Sequence, residues 1–507
     1  LPILIQGQAF NGMTLFSVID NGGSDNPFYS LLIDNEKNEI NFWIHPRGVA
    51  STSYLLTDST LIYPYRVQNP SMSAGGVGGG ISKYSWTGDL LWNYEIANEI
   101  YQLHHDIEPL PNGNILVIAW EKKTADEAYA MGRQTIDNPL NEMWSEVILE
   151  LELVGTNDAN IVWEWHLWDH LIQDVNSDLP NYGVISDHPE LQDINYGNAG
   201  SNSDPLGPNG DWKHLNAIAY NPELDQIAIS SRHHNEIYII DHSTTTEEAS
   251  GHDGGNSGMG GDYLYRWGNP QTYDRGDESN NLLTVQHGVN WIPEGYPGAG
   301  NLILFNNEHW MGTSAIYEIT PPVNENGNYT ITDDDPFGPD SITWIHAGTF
   351  HSMIQGGAFR LPNGNTLITE SDDAFMFEVN DDHEIVWEYD FGTVGSFIAR
   401  AQKYSMDYLG SGFPNYVLGD VNFDDTIDVS VDYFLNDMQA QTQDITVSSF
   451  TDLPDLFIEE ILLPASISEG QEVSVTARIV NQGPGPARNF NVEFYNDDEI
   501  YQTISSL

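Results

Sequence analysis

Apolar residues in this chain come in short runs, many alternating with polar ones, and most runs end at Gly, Asn, Asp or Pro. That pattern predicts β-strands joined by turns, with little helix. One recurring element is a strand carrying Trp or another aromatic, with a second aromatic two residues on. It occurs as Leu90-Leu91-Trp92-Asn93-Tyr94, Ile161-Val162-Trp163-Glu164-Trp165, Tyr263-Leu264-Tyr265-Arg266-Trp267 and Ile385-Val386-Trp387-Glu388-Tyr389. Ile342-Thr343-Trp344-Ile345-His346 repeats it with His346 in the second place, and Ile40-Asn41-Phe42-Trp43 is a weaker copy. Period-two spacing puts the rings on one strand face, where neighbouring sheets bury them as core. Six copies between residue 1 and about residue 410 predict an all-β fold, a six-bladed β-propeller. Two long loops rich in Gly, Asn and Asp, Pro180 to Asp211 and Ser250 to Gly261, interrupt the spacing and are expected to form lids or rims of a functional face.

A second element leads into a turn and then a short apolar strand, and three of its copies carry histidine. These are His104-His105-Asp106-Ile107, His214-Leu215-Asn216-Ala217-Ile218 and Gln286-His287-Gly288-Val289. Aligned on the residues before the turns, His105, His214 and His287 superimpose, and a fourth copy has Gly356 there. Equivalent positions of a ring of repeats face one axis, so these histidines are expected to converge. His104 is an alternative to His105, because neighbours on a strand face opposite sides, and Asn216 would share the side of His214. His309, His346 and His351 lie off that position and read as structural. The glycine-rich run from Gly75 to Gly80 lacks the Gly-Lys-Ser/Thr ending of a phosphate loop and reads as a turn between blades.

After Tyr404 the pattern changes. Asp420, Asn422 and Asp424 have the oxygen-ligand spacing of an EF-hand-type loop, with Thr426 and Asp428 as further ligands. Asp425 stands where such loops carry glycine, and Val431 stands where they carry the closing carboxylate. The segment 415–440 resembles a dockerin-type calcium repeat, and Ca2+ is the one metal expected. From 453 to 507, alternating strands around Asn481-Gln482-Gly483-Pro484-Gly485 resemble part of an immunoglobulin-like β-sandwich of the kind found in adhesion-related modules.

Composition narrows the function. The chain has 507 residues, 16 basic against 75 acidic ones and a formal charge of −59. That balance argues against nucleic acid or anionic membranes as partners and fits an acidic, solvated surface. No apolar run reaches the ~20 residues of a membrane span. Cysteine is absent, which removes disulfides and thiolate chemistry. The chain begins at Leu1 and reads as a fragment whose signal peptide would lie upstream.

Asp211-Trp212-Lys213-His214 through Ser230-Ser231-Arg232-His233, the His104-His105-Asp106 motif and Gln286-His287-Gly288 together resemble bacterial arylsulfate sulfotransferases, over roughly residues 30 to 405. The resemblance implies a six-bladed propeller with a funnel-shaped site, extracytoplasmic and either periplasmic or secreted. It implies transfer of a sulfuryl group from an aryl sulfate to a phenol through a histidine-bound intermediate, with no cofactor for catalysis. Carried over, His287 is the histidine that becomes sulfated, His214 and Arg232 bind sulfuryl oxygens, and His105 is the remaining histidine. The disulfide found in some periplasmic members has no counterpart here.

These residue types suit that chemistry. A sulfuryl group in transfer carries charge on its peripheral oxygens, so catalysis is positioning plus electrostatic stabilisation. The alternative reading is a non-catalytic secreted propeller that binds a sulfated or phenolic ligand, or a protein partner, in the same funnel. A quinone-cofactor dehydrogenase would need a carboxylate cluster on the axis, for which the sequence has no signature. Zinc is the rival use of these imidazoles, but Arg232 beside them would repel a cation. Donor, acceptor and oligomeric state stay open.

Overall fold

The computed structural model describes residues 4–5, 7–21, 28–391 and 396–409, together with seven strands beyond them that begin at Val417–Leu418 and end at Glu499–Ser506. The chain divides into two units, residues 1–37 with 43–406, and residues 38–42 with 407–507.

In the first unit six antiparallel sheets follow one another as the blades of a six-bladed β-propeller. Blades two to six run in simple up-and-down order, each starting on its innermost strand: Tyr54–Leu55, Tyr101–Pro109, Leu215–Asn221, His287–Trp291 and Gly357–Arg360. Blade one is assembled from both ends of the unit. Gly12–Asn21 pairs antiparallel with Ser396–Ile398 and with Gln402–Ser405. Closing the ring in this way leaves no free edge between first and last blade.

The recurrent tryptophans have a specific use. Trp43 donates its indole N–H to Ser85 O, Trp92 to Asp158 O, Trp267 to Pro339 O and Trp387 to Asn35 O, each at 2.9 Å, and Trp163 reaches Thr244 Oγ1 at 3.1 Å. Each of these acceptors belongs to the next blade around the ring. One ring thus fills the gap between blades and satisfies its own polar atom there, which is why Trp recurs rather than Phe. Trp344 of blade five stacks instead on His383 of blade six, at 5.3 Å and 16°.

The two long loops have different fates. The segment 180–211 stays over the propeller face, held partly by a short parallel pairing of Leu171–Ile172 with Gln192–Asp193. The segment 250–261 folds onto the third blade, where Gly261 O accepts the Trp165 indole N–H at 2.7 Å, and it contributes nothing to the cavity described below.

The second unit contains a four-stranded sheet and a three-stranded sheet. The strand Thr426–Phe434, within the segment likened to a calcium repeat, pairs antiparallel with Glu472–Asn481 along its whole length. Asp420, Asn422 and Asp424 lie outside the described residues, as do the side chains of Thr426 and Asp428. Among the described residues no helix is long and apolar enough to cross a membrane.

Candidate active site

The segments leading onto the inner strands carry a backbone feature that the sequence did not announce. His105 and His214 have φ of +49° and +54°, as do Val285 and Gln355 at +49° and +59° on the next two blades. A side-chain-bearing residue in this left-handed region costs roughly 1–2 kcal/mol, and such strain collects at functional sites. Each of these residues lines a single cavity of about 790 Å³, together with His287, Arg232, His233, Gly75 and Gly76. The three histidines therefore converge, but not from one register position. His105 sits in a bulge between Leu103 and Ile107, and His214 just precedes its strand. His287 pairs with Phe305, two residues beyond the strained Val285.

The rings of His105 and His214 meet edge to face at 4.5 Å, and His233 stacks on His214 at 4.6 Å. Asp211 binds Nδ1 of His214 with one carboxylate oxygen and accepts the Trp120 indole N–H with the other, at 3.1 Å. That leaves Nε2 as the untied ring nitrogen of His214. Burial depresses the pKa of His214, with His233 and Arg232 adding to it, while burial raises that of Asp211.

His287 is buried and held by Asn307, whose Oδ1 lies 2.8 Å from Nδ1. Burial pushes His287 down to about 3, the hydrogen bond to Asn307 opposing and the charge of Arg232 adding to the fall. The ring is neutral at ordinary pH. Arg232 is half-buried, and its guanidinium meets no hydrogen-bond acceptor or carboxylate among the described residues. A forked, unpartnered cation beside three neutral imidazoles is an anion site.

Gly76 explains the glycine run. Its carbonyl accepts the His105 backbone N–H at 2.7 Å, and a Cβ on Gly76 would stand 2.1 Å from the His105 ring. The run is not a turn between blades as expected: it lies within blade two, between the strands Leu61–Arg66 and Gly79–Tyr84, with Gly79 and Gly80 opening the latter and the turn at Gly75 and Gly76 packing on the site. Loop 180–211 adds Tyr196, Asn198 and Ser201 to the wall, and Ile354 adds an apolar side.

Two of the candidates lie elsewhere. Asn216 is buried away from the cavity and donates to Gln286 O at 2.7 Å, so it ties two inner strands together. His104 points behind His105, with its Nε2 2.9 Å from Glu146 Oε2 and its ring stacked on Trp120 at 4.1 Å. Residues that sequence reasoning missed are Asp211, Asn307, Glu146 and Gly76. Signals existed for two of them. Asp211 precedes His214 by one helical-turn spacing, and Asn307 stands as far after Leu302 as Arg232 stands after Ile227.

Among the described residues, two groups of three bring imidazole and carboxylate atoms within 4.8 Å of one another. One, Asp211 with His214 and His233, is inside the cavity, where the charge of Arg232 opposes a cation. The other, His170 with His252 and Asp262, lies outside it.

A family model described as Arylsulfotransferase (ASST) matches residues 53–329, and a CARDB model matches residues 453–507. No curated protein matches the chain. Solved structures with a similar fold include a protein of unknown function from Bacteroides caccae, 11% identical with a TM-score of 0.39, covering 78% of this chain and 98% of that one. The periplasmic gluconolactonase of Pseudomonas aeruginosa is 8% identical with a TM-score of 0.36, covering 78% and 99%. Virginiamycin B lyase from Staphylococcus aureus is 11% identical with a TM-score of 0.31, covering 77% and 87%.

Proposed function

The chain belongs to the arylsulfotransferase family and ends in a CARDB domain, and from that premise we propose that it moves a sulfuryl group from an aryl sulfate to a phenol in two steps, through a sulfated His287. The observation that carries this reading is the state of His287. Its Nδ1 is occupied by Asn307, its ring is neutral, and its side chain lines a cavity whose nearby cation is unpartnered among the described residues.

In the first step Nε2 of His287 attacks sulfur. The S–N bond forms as the S–O bond breaks, and the electron pair stays on the aryl oxygen. Arg232, which lines the cavity, holds two sulfuryl oxygens with its guanidinium fork in this reading, and His214 borders the same volume. Tyr196 and Ile354 offer flat and apolar surface for the aryl ring. A phenol then enters and takes the group from the histidine. The covalent intermediate divides one displacement into two easier ones. An extracytoplasmic setting is part of this proposal.

A scaffold that merely bound a ligand would have no use for a neutral, oriented nucleophile. The test is turnover of a chromogenic aryl sulfate with excess phenol. Phenol-dependent turnover is expected, and a ligand that binds without release of the chromophore would favour the scaffold.

A further inference from the structure

His105 does not end at its own ring. Its Nδ1 lies 2.9 Å from Nδ1 of His104, and Nε2 of His104 lies 2.9 Å from Oε2 of Glu146. All three side chains are buried, and Glu146 is anchored by the Leu215 backbone N–H, which donates to Oε1 at 3.1 Å. Stacking on Trp120, within 11° of parallel, fixes the plane of the His104 ring.

Each of the two gaps holds one proton, since neither two lone pairs nor two N–H groups can face each other at that distance. Only two neutral-ring arrangements satisfy both gaps. In one, protonated Glu146 donates to His104 Nε2, His104 Nδ1–H donates to His105 Nδ1, and His105 presents Nε2–H to the cavity. In the other, Glu146 is ionised, both gap protons have moved one place away from it, towards His105, and His105 presents a lone pair. Burial lowers both histidines, His104 to about 3, and with Asp211 it raises Glu146 well above the usual carboxyl range. The arrangement with Glu146 protonated is therefore the resting one. Asp211 and His214 lack this feature, because there the carboxyl meets the cavity histidine directly.

We propose that Glu146 and His104 are a proton relay that loads and unloads Nε2 of His105, which protonates the departing phenolate in the first step and accepts the acceptor phenol's proton in the second. The inference rests on the sulfohistidine reading above. As the S–O bond breaks, the aryl oxygen takes the proton from His105 Nε2. His105 Nδ1 takes that of His104 Nδ1, His104 Nε2 takes that of Glu146, and a carboxylate remains. The second step runs the chain backwards and restores Glu146. Glu146 and His104 are positioning residues in this scheme, and His105 alone touches substrate.

Glu146→Gln tests it with little disturbance. The amide oxygen can still accept from Leu215 N–H and the amide nitrogen can still donate to His104, so His105 keeps its Nε2–H but cannot release it. The loss in kcat/KM should then grow with the pKa of the departing phenol, from under about tenfold with 4-nitrophenyl sulfate to about 10²–10⁴-fold with phenyl sulfate, the range of a lost general acid. His104→Gln should show the same dependence. An equal loss for every donor, or none, overturns the relay. Should neither variant fold, the unaltered protein decides: its rate with phenyl sulfate should curve against the deuterium fraction of the solvent, and a straight line means a single proton and no relay. Absence of a sulfohistidine in the unaltered protein would strike the parent reading. A normal sulfohistidine with an unchanged leaving-group dependence in both variants would strike the relay alone.

Discussion

Asn307 fixes which nitrogen of His287 is free. Its Nδ2 donates to Ser352 O at 2.9 Å and to Gln355 O at 2.7 Å, two carbonyls that can only accept, so its Oδ1 must face His287. Nδ1 of His287 therefore carries the proton and Nε2 the lone pair. The amide orientation comes from backbone groups on the next blade, and the nucleophile inherits it.

Asn307→Leu should abolish that control. The expected fall in kcat is on the order of 10²–10⁴-fold, the scale seen when a catalytic histidine loses its tautomer. Single-turnover kinetics with an aryl sulfate measure it directly. An unchanged rate of chromophore release would show that the ring needs no such holder.

Arg232 should act through charge and shape together. Arg232→Ala should slow turnover by about 10²–10³-fold, the cost of one transition-state donor. Arg232→Lys should recover only part, because a point charge does not reproduce a forked contact. Full recovery in the lysine variant would reduce Arg232 to a source of potential.

Two glycines separate strain from site geometry. Gly76 and Gly113 have φ of +76° and +90°, but a Cβ on Gly113 meets nothing within 4 Å, whereas one on Gly76 enters the His105 ring. Alanine at either position should cost about 1 kcal/mol or more through the backbone. Only Gly76→Ala should also lower kcat, which steady-state kinetics at matched folded fraction would check.

Buried neutral histidines should make the propeller acid-sensitive. Burial holds His45 near 3, against an ordinary value of 6.5, and its Nε2 is bonded to Ser30 Oγ at 2.9 Å. Below pH 6.5 the unfolded chain binds a proton that the folded chain refuses, so stability falls as pH drops from 6.5 towards 3. Each such histidine contributes a slope of at most about 1.4 kcal/mol per pH unit. His45→Phe should reduce the slope by up to one proton, read from urea midpoints at several pH values.

The fold was legible because its signals are local. The period-two aromatic strands are the outermost strands of the blades, and the count of copies matches the count of blades. The site was legible only as far as residue type could show it. His105, His214, His287 and Arg232 do line one cavity, yet the alignment that singled out the histidines is not the structural register. Bulges shift the inner strands that carry the histidines, more at His105 than at His214 and His287, and spacing in the sequence cannot count them. Asn216 and His104 were placed by alternation along a strand, which fails where those bulges break it. Glu146 was out of reach for another reason. It acts on a histidine of a different strand, and nothing along the chain marks such a partner.

The most direct measurement is mass spectrometry of the protein after a single exposure to an aryl sulfate with no acceptor. One equivalent of phenol should appear in a burst, one sulfuryl group should remain on the peptide carrying His287, and His287→Ala should lose both while staying folded. A sulfuryl group on another residue, or full turnover by His287→Ala, would contradict the account.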